Sequence, residues 1–308
     1  MTPMKMKSKW IDATLLRDFE VEGTDAHRFC TIADGWVERF GSDVLISFKN
    51  SAARDRLLLE LNSWGTAVEF RFGRIFGRHL ARKNEEREKP RLMFGNRKEN
   101  LQTKATERHL QFGIDFGAGY SVGLFVDQRE NRSYVRKREP KRLLNCFAYT
   151  CSFSVAAASV GASTVNVDLS KKSLWRGREN FALNRLSTFS HRFIVDDVMS
   201  VLPRLARRGE KFDSIILDPP TFSRSHRGKA FDVEQDFEKL LLLALEVAAR
   251  DCHVLLSTNC ATFRCHALEV MARYCLKAAR RAGQVARPTP LPDFPPGAGA
   301  KSVWLLLR

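Results

Sequence analysis

The chain has 308 residues, 44% of them hydrophobic, which is enough for a packed core and for more than one compact unit. No apolar run reaches the ~18 residues of a membrane helix, and residues 10–20 mix charge with apolar side chains where a secretory signal would be continuous; a cytoplasmic protein without membrane contact is expected. Lys and Arg number 51 against 35 acids, a net charge of +16, which favours a polyanionic partner such as RNA, and the seven cysteines form no Cys-x-x-Cys pair, against a zinc ribbon.

Three stretches differ in texture. Residues 1–70 read as a small α/β accessory domain. Alternating segments such as Asp43-Val44-Leu45-Ile46-Ser47-Phe48 suggest strands, and residues 51–62 suggest a helix with Ser51 as its N-cap. Residues 71–108 read as a charged linker. There Phe72, Phe76 and Phe94 interleave with many arginines, a composition suited to contact with unpaired RNA, or to an exposed helix laced with ion pairs. Residues 109–308 read as a catalytic domain that opens with two strands around Gly117-Ala118-Gly119.

From residue 142 the patterns alternate. Apolar strands are expected at 143–148, 164–168, 193–197, 214–218, 254–257 and 303–307, with helices at 153–159, 171–184, 199–208, 232–249 and 263–282. Continuous apolar strands separated by helices imply an α/β fold with a parallel sheet covered on both faces.

Ligands of such sheets bind beyond the carboxyl ends of the strands. After the first strand, Asn145 to Phe153 form the turn where a nucleotide-like cofactor would approach backbone amides. The turn lacks G-x-G-x-x-G, which argues against an NAD-dependent oxidoreductase. Asp168 stands about twenty residues on, where an acid accepts ribose hydroxyls or caps the next helix. Asp197 is placed to accept from an adenine amine, or again to cap a helix. The sharpest signal is Asp218-Pro219-Pro220-Thr221-Phe222. Two prolines cannot continue the ladder, so the chain must turn outward and present a carboxylate and an aromatic ring to a planar base. Cys260, at the fifth strand end, is a candidate nucleophile if a pyrimidine needs covalent activation, and an inert thiol otherwise.

From Gly123 onward the chain resembles the class I S-adenosylmethionine-dependent methyltransferases of 23S rRNA, most nearly the catalytic half of the bacterial guanine-N7 enzymes. The resemblance is carried by residues 123–132 (GLFVDQRENR), 144–150 (LNCFAYT), 167–170 (VDLS), 218–223 (DPPTFS) and 230–233 (AFDV), and by Phe263-Arg264. It implies a Rossmann-like seven-stranded sheet binding S-adenosyl-L-methionine, with 23S rRNA or a ribosomal precursor as partner. It places Gln128 at the rim of the site, and Asn145, Phe147, Ala148 and Thr150 at the methionine end of the cofactor. Asp168 falls to the ribose and Asp197 to the adenine, while Asp218, Pro219, Pro220 and Phe222 face the accepting base. Two departures stand out. Cys151 replaces a family glycine and is expected to crowd the cofactor turn. Cys260 matches the related cytosine-C5 branch, which keeps cytosine C5 open beside guanine N7. A non-catalytic RNA-binding protein on a degenerate methyltransferase fold is the remaining alternative.

Overall fold

A computed structural model describes residues 9–81, 85–96, 100–224 and 230–308. The basic start of the chain and residues 82–84 and 97–99 of the charged stretch lie outside the described residues. Two compact units emerge, Met1–Asp127 with Leu291–Pro296, and Gln128–Pro290 with Gly297–Arg308.

The first unit runs β1 (Lys9–Trp10), α1 (Ala13–Val21), β2 (Ala26–Ile32), β3 (Gly35–Phe40), β4 (Asp43–Phe48), α2 (Ser51–Ala67), β5 (Ile75–His79), β6 (Arg91–Phe94), β7 (Gln102–Glu107) and β8 (Leu110–Asp115). The first six strands form one sheet in sequence order, antiparallel except where α2 crosses over between parallel β4 and β5. Leu57, Leu61 and Trp64 of α2 bury against Phe29, Val37, Val44 and Ile46. The helix begins one residue earlier than its apolar cluster suggests: Asn50, not Ser51, accepts from Ala53 N at 2.8 Å, and the helix continues to Ala67.

Residues 71–108 are therefore no linker, and the boundary expected at 108/109 lies at 127/128 instead. Phe76 is fully buried and stacks on Phe116 with centroids 3.8 Å apart. Arg74 clamps Asp43 with Nε to Oδ1 at 3.1 Å and Nη2 to Oδ2 at 2.6 Å. Arg78 donates to Ser47 and lies 3.6 Å from Glu38, which also pairs with Arg28. Arg74 and Arg78 are paired inside the sheet, so the RNA-contact reading of Phe76 and these two arginines fails, whereas Arg71, Arg87, Lys89, Arg91 and Phe94 are exposed. The expected strand pair around Gly117–Gly119 is also displaced. β7 and β8 pair across Arg108 and His109, both at positive φ (46° and 68°), held by Thr24 Oγ1 and Gly23 O.

The second unit runs α3 (Arg129–Arg138), β9 (Arg142–Cys146), α4 (Ser152–Ala158), β10 (Ser163–Asp168), α5 (Lys171–Leu183), β11 (His191–Val195), α6 (Val198–Arg207), β12 (Phe212–Leu217), β13 (Phe222–Arg224), β14 (Ala230–Asp232), α7 (Val233–Val247), β15 (Ala248–Thr258), α8 (Cys265–Ala278), β16 (Gly283–Ala286) and β17 (Lys301–Leu307). Its seven-stranded sheet has the order β11-β10-β9-β12-β15-β17-β16, the first five strands parallel and β17 antiparallel to both neighbours. Alternate residues serve opposite faces. Leu144, Ile215 and Val254 pack with α6, α7 and α8, while Leu143, Ile216 and Leu255 pack with α3, α4 and Trp304. Burial on both faces explains why these strands read as unbroken apolar runs. Among the described residues no helix is long and apolar enough to cross a membrane, and no cluster of His, Cys, Asp or Glu is arranged to hold a metal ion.

Candidate active site

The strand order reverses at β9, which borders β10 on one side and β12 on the other. Open α/β sheets bind ligands in the crevice such a reversal leaves at the strand tips. Three segments converge there: the turn after β9, the tip of β10, and the double-proline corner after β12.

The turn after β9 is held in an unusual backbone shape. Phe147, Tyr149 and Cys151 all have positive φ (58°, 47° and 59°), a region that disfavours side chains with a Cβ. Hydrogen bonds compensate. Ala148 N donates to Val167 O, Cys151 N to Ala148 O, and Tyr149 N to Asp168 Oδ2 at 2.8 Å. Thr150 is buried, and its carbonyl accepts from Asn180 of α5. Asn145 is also buried, and its amide donates to Ser154 Oγ at 2.9 Å, joining β9 to α4. Phe147 packs on Phe231 with centroids 5.5 Å apart.

The Cys151 side chain lies against α5 at Gly177, where an added Cβ would sit 2.5 Å from Sγ. The missing side chain of Gly177 makes the room that Cys151 takes. The expected crowding of the cofactor turn is therefore redirected into the helix contact. Burial, and then the charge of Asp168, push the Cys151 thiol well above its usual pKa, so it stays protonated and unreactive.

Asp168 does not cap α5; Ser170 does, accepting from Ser173 N. Asp168 instead receives Tyr149 N on Oδ2 and Ser170 N on Oδ1, both at 2.8 Å. A carboxylate has about four acceptor positions, so one on each oxygen remains for a ligand. Burial raises its pKa above the ordinary aspartate value, with the two backbone donors pulling the other way. Asp197 does cap a helix, accepting from Met199 N at 3.0 Å. It also lines a pocket of about 170 Å³ with Leu169, Met199 and Ser200 on one side and Ser223 and Phe231 on the other. The pocket thus joins the tip of β10 to the hairpin of β13 and β14 that follows the proline corner.

Asp218 is the first residue past β12. Its Oδ2 accepts from Gln128 Nε2 at 3.3 Å, and the same nitrogen donates to Ser257 Oγ at 2.7 Å. Pro219 is buried and Pro220 exposed. Phe222 opens β13 and is 52% exposed. Gln128, which the resemblance places at the site's rim, is buried and bonded to Asp218. Cys260 is 4% exposed, its thiol 3.5 Å from Glu234 Oε1 and 3.0 Å from Thr262 Oγ1. Reasoning from sequence missed Ser257, Met199, Ser200 and Phe231. The last lies in the AFDV segment, which resemblance had marked without a role.

A family model described as S-adenosylmethionine-dependent methyltransferase matches residues 31–308. The chain belongs to that family. Among curated relatives, the ribosomal RNA large subunit methyltransferase I of Tolumonas auensis is 34% identical over 190 residues, 60% of this chain and 47% of the relative. The ribosomal RNA large subunit methyltransferase K of Neisseria meningitidis serogroup B is 37% identical over 161 residues, 51% of this chain and 46% of the relative. The chain thus spans less than half the length of these relatives. The solved structure of SMU.776 complexed with SAH superposes with a TM-score of 0.80 at 24% identity, covering 96% of this chain and 79% of that one. A SAM-dependent methyltransferase from Agrobacterium tumefaciens gives 0.70 at 22% identity, covering 91% and 89%. These two likenesses establish the shared fold: the seven-stranded methyltransferase sheet expected from the sequence.

The residues present fit the family's cofactor. The remaining acceptor positions of Asp168 suit a ribose diol, and the pocket beside Asp197 is lined by Leu169, the residue that follows Asp168.

Proposed function

We propose that this chain methylates a base of large-subunit ribosomal RNA in the cytoplasm, using S-adenosyl-L-methionine. The observation that carries the proposal is the pairing of two acceptor sites on either side of β9: Asp168 with the left-handed turn, and Asp218 with its proline corner and exposed Phe222. The names of the relatives and the net charge of +16 support RNA as the substrate.

When bound, S-adenosylmethionine supplies a methyl group on a sulfonium whose sulfur departs with the electron pair of the broken S–C bond. The chain's part is to hold the acceptor in line and dry. Asp218 accepts from an N–H on the edge of the base, and Phe222 stacks on its plane. Guanine N7 is the acceptor we favour, because its free lone pair needs no base and no nucleophile from the protein. Cys260 supports a second reading, addition to C6 of a cytosine followed by methylation at C5. Its burial and its contacts with Glu234 and Thr262 weigh against that reading.

The test is methyl transfer to rRNA, read by nucleoside mass spectrometry. The wild-type chain should give a methylated base, and Asp218→Ala should abolish the product while S-adenosylhomocysteine binding persists. Cys260→Ser should keep activity if guanine N7 is the target; loss of activity with a 5-methylcytidine product in the wild type would select cytosine. No methylated nucleoside on any rRNA preparation, with RNA binding intact, would select the non-catalytic alternative.

A further inference from the structure

Helix α5 starts at the rim of the crevice and carries side chains that point away from it. Its core face is Leu174, Gly177, Asn180 and Phe181, all buried. Beside that face, Lys171, Trp175, Arg178 and Ala182 are all exposed. Their spacing of i, i+4, i+7 and i+11 puts them in one stripe along the helix. Trp175 is 64% exposed, whereas Trp10 and Trp36 are half-buried and Trp64 and Trp304 are buried.

The surroundings of Trp175 are cationic. From Lys171 to Arg185 there are five lysines and arginines and one acid, Glu179. The Arg178 guanidinium lies over the Phe193 ring of β11, 4.0 Å from its centroid, which restrains the charge beside the sheet edge. Phe181, one turn further along α5, packs on His191 and Phe193. Helix numbers rise as strand numbers fall, so Trp175 and Lys171 lie on the strand-tip side of Arg178. Val195, in register with Asp168, is 48% exposed at that end. The stripe therefore runs from the strand tips down the open edge of the sheet.

We propose that this stripe binds an unpaired stretch of the RNA substrate, with one base stacked on Trp175 and the flanking phosphates paired with Lys171 and Arg178. The proposal rests on RNA being the substrate, and it adds a contact outside the crevice. A cation one turn to either side of an aromatic ring matches a polymer that alternates phosphate and base. Lys171 and Arg178 stand about 10 Å apart along the helix axis, at about 1.5 Å per residue. Ala182 continues the stripe without a bulky side chain. Stacking on a ring needs an open base face, which a duplex does not offer. A protein partner would call for an apolar rim, and this rim carries charge of one sign.

Trp175 supplies its own probe. An oligouridine of about twelve nucleotides, added to the full chain, should quench the exposed tryptophan emission. Trp175→Phe should remove that quenching while binding persists, because phenylalanine still stacks. Trp175→Ala should weaken binding about tenfold. Lys171→Gln and Arg178→Gln should each lower the slope of log K against log salt by about 0.7. The Kd for S-adenosylhomocysteine should stay within about twofold in each variant, which also reports folded protein. Suppose the chain methylates rRNA, but its emission is unmoved by the oligonucleotide and Trp175→Ala binds it as the wild type does. The proposal is then overturned and the function stands. Binding with quenching but without any methylated nucleoside upholds the RNA stripe and removes the proposed function. A dimer of the full chain that Trp175→Ala dissociates would make this face an interface between copies, and the proposal fails.

Discussion

The two units use charge in opposite ways. In the first, arginines on neighbouring strands are paired inside the sheet: Arg74 with Asp43 and Arg28 with Glu38. In the second, the strands are apolar and the acids Asp168, Asp197 and Asp218 stand at or just beyond their tips. A charged residue inside a strand must therefore be explained by its partner, whereas one at a strand tip stands where such sheets bind ligands. The net charge of the chain distinguishes neither case.

The largest effect should come from breaking a pair in the first unit. Asp43→Ala leaves the Arg74 guanidinium and backbone N–H without their carboxylate, at side-chain exposures of 9% and 3% for Arg74 and Asp43. Loss of one partner of such a buried pair costs about 3–5 kcal/mol. Chemical denaturation should show that loss, and a change below about 1 kcal/mol would mean the pair is not desolvated in solution.

A smaller effect is expected in the second unit at the contact of Cys151 with Gly177. Gly177→Ala puts a methyl group 2.5 Å from Cys151 Sγ and should cost about 1–3 kcal/mol. In a Cys151→Gly background the same change should cost far less. Additive losses in the double-mutant cycle would show that the two sites do not share this space.

Asp168 gives a pH signature. Its pKa is raised by burial, so the native state holds the proton more tightly than the unfolded chain does. Its contribution to stability is therefore fully present below the unfolded pKa and is lost as pH rises through the folded one. Ribose binding has the opposite dependence, because the acceptor must be ionised. Affinity for S-adenosylhomocysteine should weaken by up to about tenfold per pH unit below the raised pKa, at a pH higher than a solvated aspartate would give. Calorimetric titration across pH should show this slope in the wild type and lose it in Asp168→Asn.

The least effect is expected at the edge of the second sheet. Glu210 is bound by Arg192 and Arg142; burial pushes its pKa up, but the bond and charge of Arg192 outweigh it and hold the carboxyl below the usual range. Stability from this pair is present above the unfolded pKa and lost as pH falls through the folded one. Arg192, 42% exposed in its side chain, should cost less than about 1 kcal/mol as Arg192→Ala at neutral pH, by thermal melting.

The second unit was legible in its sequence because both sheet faces are covered. Its parallel strands read as apolar runs, and the five helices expected from residue 153 onward fell within a few residues of α4 to α8, whereas α3 was not foreseen. The double proline after β12 announced the corner at Asp218. What the sequence hid was relational. Gln128 resembles a surface residue in the highly charged segment DQRENR, and only its neighbours Asp218, Asn131 and Ser257 reveal it as buried. The first unit was less legible for a related reason. Arg74, Phe76 and Arg78 carry the composition of an RNA-binding stretch, and nothing short of the sheet register discloses Asp43, Phe116 and Ser47 as their partners.

Leu291–Pro296 belongs to the first unit although it comes late in the chain. Asp293 Oδ2 accepts from Arg28 N at 2.8 Å, and the Arg28 guanidinium lies over the Phe294 ring at 3.9 Å from its centroid. During synthesis, then, the sheet of the first unit gains these contacts only after the segments from β9 to β16 have been translated. Its final packing thus follows translation of every strand of the methyltransferase sheet except β17.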